Sequence, residues 1–207
     1  LFVAALEKAR ERDIAVVAIK IGRTERSAAM AKTHSGALAG NDAAYDALFD
    51  HYGVIRASSV AELTGTAQVL ATGKRAGEGG LISLHDSGGS RGLAIDTAHG
   101  YGVRYANIAE ETTAVLASHL EYGLEAVNPV DLWATGQNWL ELVEGCYTAL
   151  INDPDTAAGM YCGDYSSGHE GMADMIGAIE RTAAQTTKPA FIVQPVAGVL
   201  PEAWRDV

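Results

Sequence analysis

The segment from Thr33 to Asp42 contains the side chain with the most evident reactive chemistry in the sequence. It places the imidazole of His34 among glycines and alanines, in the string THSGALAGND, and predicts a loop just before an amphipathic helix that Asn41 or Asp42 can cap. Small residues let a backbone approach a ligand closely, and the N–H groups of a following helix start bind anions. A neutral imidazole can attack a phosphoryl or acyl group. Two interpretations of His34 stay open: a phosphoryl-carrying nucleophile, or an idle histidine in an exposed loop.

Positive charge gathers just before this loop, at Arg23, Arg26 and Lys32. In a chain whose formal net charge is −11, such a local concentration of cations suggests an anion nearby. The overall acidity argues against a nucleic-acid surface, because phosphate backbones require clustered Lys and Arg side chains. The chemistry indicated is that of a small anionic group.

A second glycine-rich segment, Ser87-Gly88-Gly89-Ser90-Arg91-Gly92, follows an apolar stretch and precedes a helical pattern. Two interpretations are open here as well. A tight turn between a strand and a helix needs glycines whether or not it binds a ligand. The same backbone shape can also hold an anion at the helix N-terminus.

A third candidate segment is the string NPVDL at residues 128–132. Pro129 disfavours helical geometry at Asn128, so the sequence predicts an isolated extended loop. Asn and Asp side chains often fix loops through Asx turns. A structural role is therefore the favoured interpretation of Asn128 and Asp131.

The pattern around these segments alternates between strands and helices. The run Ala15–Ile21 is rich in β-branched residues and is typical of a strand buried on both faces of a parallel sheet. Strands alternating with helices predict an α/β fold with parallel sheets, in which ligands bind at the carboxyl ends of the strands. The predicted strands are 15–21, 54–57, 81–84, 103–106, 157–162 and 190–193, and the helical patterns span 2–12, 45–52, 60–70, 93–98, 110–120, 138–152 and 172–183.

A charged, glycine-rich segment at 74–80 is typical of a linker and predicts one domain at 1–73 and another at 81–207. With 207 residues, 48% of them hydrophobic, the chain can bury a sizeable core. Apolar runs stay short of the roughly 20 residues of a membrane span, and the two cysteines lack metal-ligand spacing. We expect a cytoplasmic protein with reduced, buried thiols and no metal, nucleic-acid or membrane site. The opening at Leu1 resembles the middle of a helix, which suggests a piece of a larger protein.

Three strings stand together in an order that resembles a known superfamily: KIGRT at 20–24, THSGALAG at 33–40 and NPVDL at 128–132. The NDP-forming acyl-CoA synthetases, which include the ADP-forming acetyl-CoA synthetases and succinyl-CoA synthetase, usually show K-x-G-R-S, S-H-T-G-A-L-A-G and N-P-V-D-L at similar separations. The resemblance covers essentially the whole chain. One departure is the string LHDSG at 84–88, where the family often has T-N-S/A-G-G.

The resemblance implies that His34 is the catalytic phosphohistidine of such an enzyme. It also implies two flavodoxin-like units: the C-terminal half of a succinyl-CoA-ligase-like phosphohistidine domain at 1–73, and a second flavodoxin-like domain at 81–207 that is truncated at its C-terminus. The remaining implied site residues are the phosphate-binding Gly36, Asn41, Ser87, Gly88 and Gly89 and the supporting Lys20, Arg23, Asn128 and Asp131.

By the same resemblance, the full enzyme converts a small carboxylic acid, CoA and ATP with Mg²⁺ into an acyl-CoA, ADP and phosphate. Its CoA-binding and ATP-grasp domains or subunits would be partners in an oligomer, and this chain alone is expected to be inactive. Two other functions stay open: a regulatory pseudo-synthetase module of a fused protein acetyltransferase, and a non-catalytic interaction domain. An ATP-grasp domain beyond Val207 would favour the ligase, and an acetyltransferase domain would favour the regulatory module.

Overall fold

The computed structural model describes residues 1–35, 40–133, 137–163 and 172–194. Contacts divide the chain into two compact units, Leu1–Gly73 and Lys74–Val207. The domain identities implied by the resemblance stay a prediction. The helices in the described residues are α1 (Phe2–Glu11), α2 (Glu25–Ser35), α3 (Asp42–Tyr52), α4 (Val60–Ala71), α5 (Gly88–Gly100), α6 (Glu110–His119), α7 (Trp139–Asn152) and α8 (Met172–Ala184). The strands are β1 (Val17–Ala18), β2 (Ile55–Arg56), β3 (Gly80–His85), β4 (Val130–Asp131), β5 (Thr156–Cys162) and β6 (Ala190–Val193).

The first unit is built around a two-stranded parallel sheet, in which β1 pairs with β2. Its small core contains Leu6 of α1, Phe49 of α3 and Val54, which precedes β2. Helix α3 begins where the sequence predicted, because Asn41 caps it by accepting a hydrogen bond from the Ala43 N–H at 2.9 Å.

The prediction of a strand buried on both faces at 15–21 was wrong. Only Val17 and Ala18 form strand β1, and both are half-buried. Ile19 and Ile21 are 38% and 67% exposed. A run of β-branched residues indicates a preference for extended backbone. Burial of a strand on both faces also requires other elements to pack on both sides of its sheet. Among the described residues β1 has a single strand neighbour, so its apolar flanks stay exposed.

The predicted loop around His34 was also wrong in part. Helix α2 extends to Ser35, so the backbone of His34 lies in its last turn. The hydroxyl of Thr24 accepts a hydrogen bond from the Ser27 N–H at 3.2 Å at the start of this helix. The sequence of α2 has no clear apolar stripe, and periodicity therefore did not reveal it. Gly36 lies outside the described residues.

The second unit is a four-stranded parallel sheet in the order β4-β3-β5-β6. Strand β3 pairs with β5 from Gly80 to His85 and with β4 at its carboxyl end. Helix α7 packs on this sheet and buries an apolar face, as its spacing predicted.

The two cysteines, one in α7 and one in β5, are free and buried, as expected. The parallel sheets and flanking helices confirm the predicted α/β fold. The main core residues are Ile82, Leu84, Leu116, Val130, Val143, Tyr147, Leu150, Ile151 and Tyr161.

The edge of β3 beside β4 differs from the prediction. Residues 103–106 form a single parallel bridge, from Tyr105 to Leu81, rather than a strand. The predicted isolated loop at 128–132 instead contains β4, which pairs with the end of β3. Two short segments therefore share one edge of β3, a long-range pairing that local patterns do not encode.

His85 was expected in the turn after a strand ending at Leu84, and that prediction was wrong. His85 is the last residue of β3 and is fully buried. Among the described residues, no helix is long and apolar enough to cross a membrane.

Close packing of α7 on the sheet generates a first testable prediction. A methyl group added at Gly159 of β5 would lie 2.5 Å from the Tyr147 hydroxyl oxygen and 2.7 Å from Ile151 Cδ1. We expect Gly159→Ala to lower the free energy of unfolding of the second unit by about 1–3 kcal/mol through overpacking. Urea unfolding followed by tryptophan fluorescence measures this, because all three tryptophans lie in the second unit.

The matched control is Gly92→Ala in α5, where an added methyl group meets no atom within 4 Å. This variant is expected to be as stable as the parent or about 0.5–1 kcal/mol more stable, because alanine costs less backbone entropy in a helix. A Gly159→Ala variant that matched this control would contradict the packing described for α7.

Candidate functional site

An ionic cluster surrounds Asp42 at the start of α3. The guanidinium of Arg56 donates two hydrogen bonds to its carboxylate, from Nη2 to Oδ1 at 2.7 Å and from Nη1 to Oδ2 at 3.2 Å. Lys20 Nζ lies 3.2 Å from Oδ1, and Arg23 Nε lies 3.4 Å from Oδ2. Arg56 also pairs with Asp46 on the next turn of α3. The segment after β1, strand β2 and helix α3 are therefore joined through one carboxylate.

The centre of the cluster is largely shielded from solvent, since the side chains of Lys20, Arg56 and Asp42 are only 11%, 14% and 19% exposed. Lys20 Nζ also lies 4.8 Å from the centre of the Tyr45 ring, a cation–π contact. The hydrogen bonds from Arg56, followed by those from Lys20, hold the pKa of Asp42 at about 2 although partial burial opposes them. In turn, Asp42 and Asp46 raise the pKa of Arg56. Asp42 is therefore ionised throughout the physiological range.

Three predicted site residues of the first unit already have partners within the fold. Lys20 and Arg23, expected to neutralise an anion, both pair with Asp42. The side-chain oxygen of Asn41 caps α3. Gly40, which ends the segment after His34, adopts a φ of +69°, a conformation that favours glycine. The structure therefore brings Lys20, Arg23 and Asn41 together at one helix start.

In the second unit, the start of α5 lies at the carboxyl ends of β3 and β4. Ser87 is the N-cap residue but makes no side-chain capping hydrogen bond. Gly88 and Gly89 are the first two helical residues. A side chain at Gly88 would meet Asp131, because its Cβ would lie 2.9 Å from Oδ2. Ser87, Gly88, Gly89 and Asp131 therefore lie together, with a carboxylate already beside the helix N-terminus, a favourable place for negative charge.

His85 is buried beneath this helix start. Its Nε2 lies 2.8 Å from Ser83 Oγ, and its Nδ1 lies 3.2 Å from Ser90 Oγ. Burial lowers the pKa of His85 to about 4, with Arg91 acting in the same direction and Asp131 opposing both. His85 is therefore a neutral imidazole at physiological pH.

Asn128 has a structural position. Its amide nitrogen donates to the carbonyl oxygens of Leu81 at 2.9 Å and Ala106 at 3.0 Å, and its Oδ1 accepts from the Ser83 N–H at 3.2 Å. The carboxamide thus replaces a peptide unit along the edge of β3, between the Tyr105 bridge and β4. These bonds support the structural interpretation that the sequence favoured for Asn128.

Sequence reasoning missed Arg56 and His85, and it considered Asp42 only as a helix cap. A strand places residues two apart on the same face, so Ser83 and His85 would have formed a polar pair if the strand had been extended by one residue. Nothing in the spacing of Arg56 and Asp42 indicates that they meet, because the pairing of β1 with β2 brings them together.

Magnesium does not fit the described residues. Within residues 1–35, 40–133, 137–163 and 172–194, no three His, Cys, Asp or Glu side chains come close enough to hold a metal ion. Mg²⁺ prefers several oxygen ligands, including carboxylates. We derive no step through a metal held by this chain.

The sequence of this chain is similar to a known domain family and to two proteins described as ligases. Residues 1–70 match the model of the succinyl-CoA ligase like flavodoxin domain. Acetate–CoA ligase [ADP-forming] I of Archaeoglobus fulgidus is 40% identical over 117 residues, which cover 56% of this chain and 17% of that protein. Acetate–CoA ligase [ADP-forming] I subunit alpha of Pyrococcus furiosus is 32% identical over 149 residues, which cover 71% of this chain and 32% of that subunit.

A solved structure shares the fold. Dinucleotide-forming acetyl-coenzyme A synthetase 1 of Candidatus Korarchaeum cryptofilum, in complex with phosphate and ADP, superposes with a TM-score of 0.77 at 22% identity. The match covers 93% of this chain and 41% of that one. The chain therefore spans less than half the length of each of these relatives.

Fold and matches together define an α/β protein with flavodoxin-like, parallel-sheet architecture. The sequence matches further support a fragment of an NDP-forming acyl-CoA synthetase, since residues 1–70 match the succinyl-CoA ligase like flavodoxin domain and the relatives are ADP-forming acetate–CoA ligases.

The ionic cluster generates a prediction about Asp42. Arg56→Met is expected to raise the pKa of Asp42 from about 2 toward its ordinary value of 3.8, because Arg56 supplies the largest favourable contribution. Since the folded pKa lies below the unfolded one, ionised Asp42 stabilises the fold above about pH 4, and this contribution is lost as the pH falls toward 2. Titration of the side-chain carboxyl by ¹³C NMR measures the shift.

Two further variants test the assignment. Lys20→Met should raise the pKa of Asp42 by less than Arg56→Met does, and Arg23→Met, which removes a side chain 65% exposed, should raise it least. Equal shifts in all three variants would show that net charge, rather than the Arg56 hydrogen bonds, sets the pKa.

Proposed function

We propose that this chain is the phosphohistidine-bearing part of an NDP-forming acyl-CoA synthetase, with His34 as the phosphoryl carrier. The observation that carries the proposal is the position of His34 within the family-matched residues 1–70. Its backbone lies in the last turn of α2, and α3 begins seven residues after Ser35, at Asp42.

In this proposal, the neutral imidazole of His34 takes up the terminal phosphoryl group of ATP, and ADP leaves. His34 then transfers the phosphoryl group to the oxygen of a carboxylic acid, which gives an acyl phosphate. The CoA thiol displaces phosphate from that acyl group, and the products are an acyl-CoA and free phosphate. Nucleophilic catalysis of this kind divides one difficult transfer into easier ones.

The start of α3 supplies a favourable electrostatic setting for a phosphorylated His34. A helix N-terminus stabilises a nearby anion by about 0.3–1 kcal/mol when exposed. The cluster of Lys20, Arg23 and Arg56 with Asp42 and Asp46 holds three cations against two carboxylates, a balance of +1. We infer that Lys20 and Arg23 support a phosphoryl group while Asp42 fixes their positions.

The second helix start is the proposed phosphate-binding partner. Ser87, Gly88 and Gly89 offer backbone N–H groups at the start of α5, in the crevice at the carboxyl ends of the strands. Asp131 lies beside them and would repel an anion, so its part is to fix the loop rather than to contact phosphate.

The remaining activities belong to the rest of the enzyme in this proposal. ATP with Mg²⁺, CoA and the small carboxylic acid would be bound largely by CoA-binding and ATP-grasp domains or subunits. The Pyrococcus furiosus relatives, which are described as alpha subunits, support such a division.

The test is covalent phosphorylation of the full-length protein by ATP and Mg²⁺. We expect the intact mass to increase by one phosphate, with an acid-labile signal in ³¹P NMR. His34→Ala should abolish the modification, because it removes the nucleophile. His99→Ala, which removes an exposed histidine on α5, is the matched control and should be phosphorylated like the parent.

An acid-labile phosphate that persists in His34→Ala would refute the assignment of the carrier. A parent protein that takes up no phosphate, yet binds CoA or nucleotide, would favour the regulatory pseudo-synthetase function instead.

A further inference from the structure

A line of hydrogen bonds runs from the interior of the second sheet to the start of α5. Ser83 and His85 lie on the same face of β3 and are both fully buried. The ring of His85 connects Ser83 with Ser90. The Ser90 hydroxyl donates onward to the carbonyl oxygen of Ser87 at 3.1 Å. This carbonyl also accepts the first helical hydrogen bond of α5, from the Arg91 N–H at 2.9 Å.

The direction of each bond follows from the number of protons available. Ser90 has one hydroxyl proton, and its donation to the Ser87 carbonyl leaves the oxygen to accept from His85 Nδ1–H. The neutral imidazole then offers Nε2 as an acceptor. The Ser83 hydroxyl donates to it across 2.8 Å. With the Ser90 proton on the Ser87 carbonyl, this set of bonds places the proton of His85 on Nδ1.

We propose that His85 is a positioning residue that fixes the Ser87–Gly89 turn through Ser90. This inference rests on the proposed function, since that turn is the proposed phosphate-binding partner of His34. It assigns a purpose to a residue that departs from the family string, because His85 occupies the position where the family often has asparagine. His85 touches no reacting group and acts through Ser90 alone.

The charges around the ring determine how the line responds to pH. Asp131 on β4 favours the protonated ring, whereas Arg91 on α5 opposes it. Asp86 follows His85 in the chain, and Cys162 of β5 is paired with His85 in the sheet, where burial raises the pKa of the thiol and keeps it neutral. A proton added at Nε2 would turn this acceptor into a donor, so the Ser83 hydroxyl would have to rotate and accept the hydrogen bond that it now donates.

The first experiment determines the tautomer and the protonation of His85 directly in the 207-residue chain. Long-range ¹H–¹⁵N NMR of histidine-labelled protein should show His85 as the Nδ1–H tautomer at neutral pH. Burial lowers its pKa to about 4, so the ring should stay neutral at pH 5.5, where exposed histidines are protonated. An Nε2–H tautomer, or a ring that titrates with the exposed histidines, would overturn the proposal.

The second experiment uses a matched pair of variants. Ser83→Ala and Ser90→Ala each remove one hydroxyl that contacts His85, but only Ser90→Ala cuts the connection to the Ser87 carbonyl. We expect large backbone amide shifts at Gly88 and Gly89 in Ser90→Ala and small ones in Ser83→Ala. Equal shifts in the two variants would overturn the proposal.

The third experiment connects the line to function in the full-length protein. Ser90→Ala should slow the single-turnover transfer of the phosphoryl group by about 10-fold, whereas Ser83→Ala should stay within about 2-fold of the parent. His85→Asn keeps an amide donor near the Nδ1 position and should retain more activity than His85→Leu, which removes it. A purely structural role predicts that transfer falls in proportion to stability in all four variants.

The outcomes separate the two proposals. Without phosphohistidine in the parent protein, the proposed function fails and the NMR experiments still decide the role of His85. With phosphohistidine formed and Ser90→Ala transferring it at the parental rate, the role of His85 is refuted while the proposed function stands.

Discussion

The second unit depends on the parallel pairing of β3 with both of its neighbours. This strand is buried on both faces, with Ile82 and Leu84 fully enclosed, and its backbone groups are paired to β5 along the whole length. On the other edge, two short segments and the carboxamide of Asn128 satisfy the remaining backbone groups. A buried backbone that left these groups unpaired would cost free energy at each of them. The carboxyl end of β3 consequently holds His85 next to the first turn of α5.

Both units place a carboxylate at a helix start that the sequence marked as an anion site. In the first unit three cations surround Asp42, so the cluster keeps a positive balance around α3. In the second, Asp131 lies against Gly88 and hydrogen-bonds to the Trp133 N–H at 3.2 Å. Helix N-termini attract negative charge through their free N–H groups and the helix dipole. Of the two proposed anion sites, the first therefore has the larger share of positive charge.

The family relationship extends this physical description without replacing it. The matches cover only 17% and 32% of these two relatives, whose names as ligases refer to the whole proteins. What the two units contribute is positional: a histidine at a helix end, a cation cluster around the next helix start, and a glycine turn at the edge of a parallel sheet. Each is a local feature that a larger enzyme can use for phosphoryl transfer.

The sequence by itself determined many of the local elements, but not α2, the extent of β1 or the pairing of β4. Apolar spacing predicted α7, α8, β5 and β6 closely, and the Asn41 cap was expected because local hydrogen bonds form between neighbours in the chain. The order of the three motifs indicated the resemblance to a known superfamily and singled out His34 as the candidate phosphohistidine. The tertiary structure decided the contacts between distant residues: Arg56 with Asp42, Asn128 along β3, and Asp153, which accepts hydrogen bonds from Ala109 N–H and Thr112 at the start of α6. The physical reason is that side-chain periodicity specifies how a segment folds, whereas strand pairing and burial, which bring remote polar groups together, depend on the whole chain.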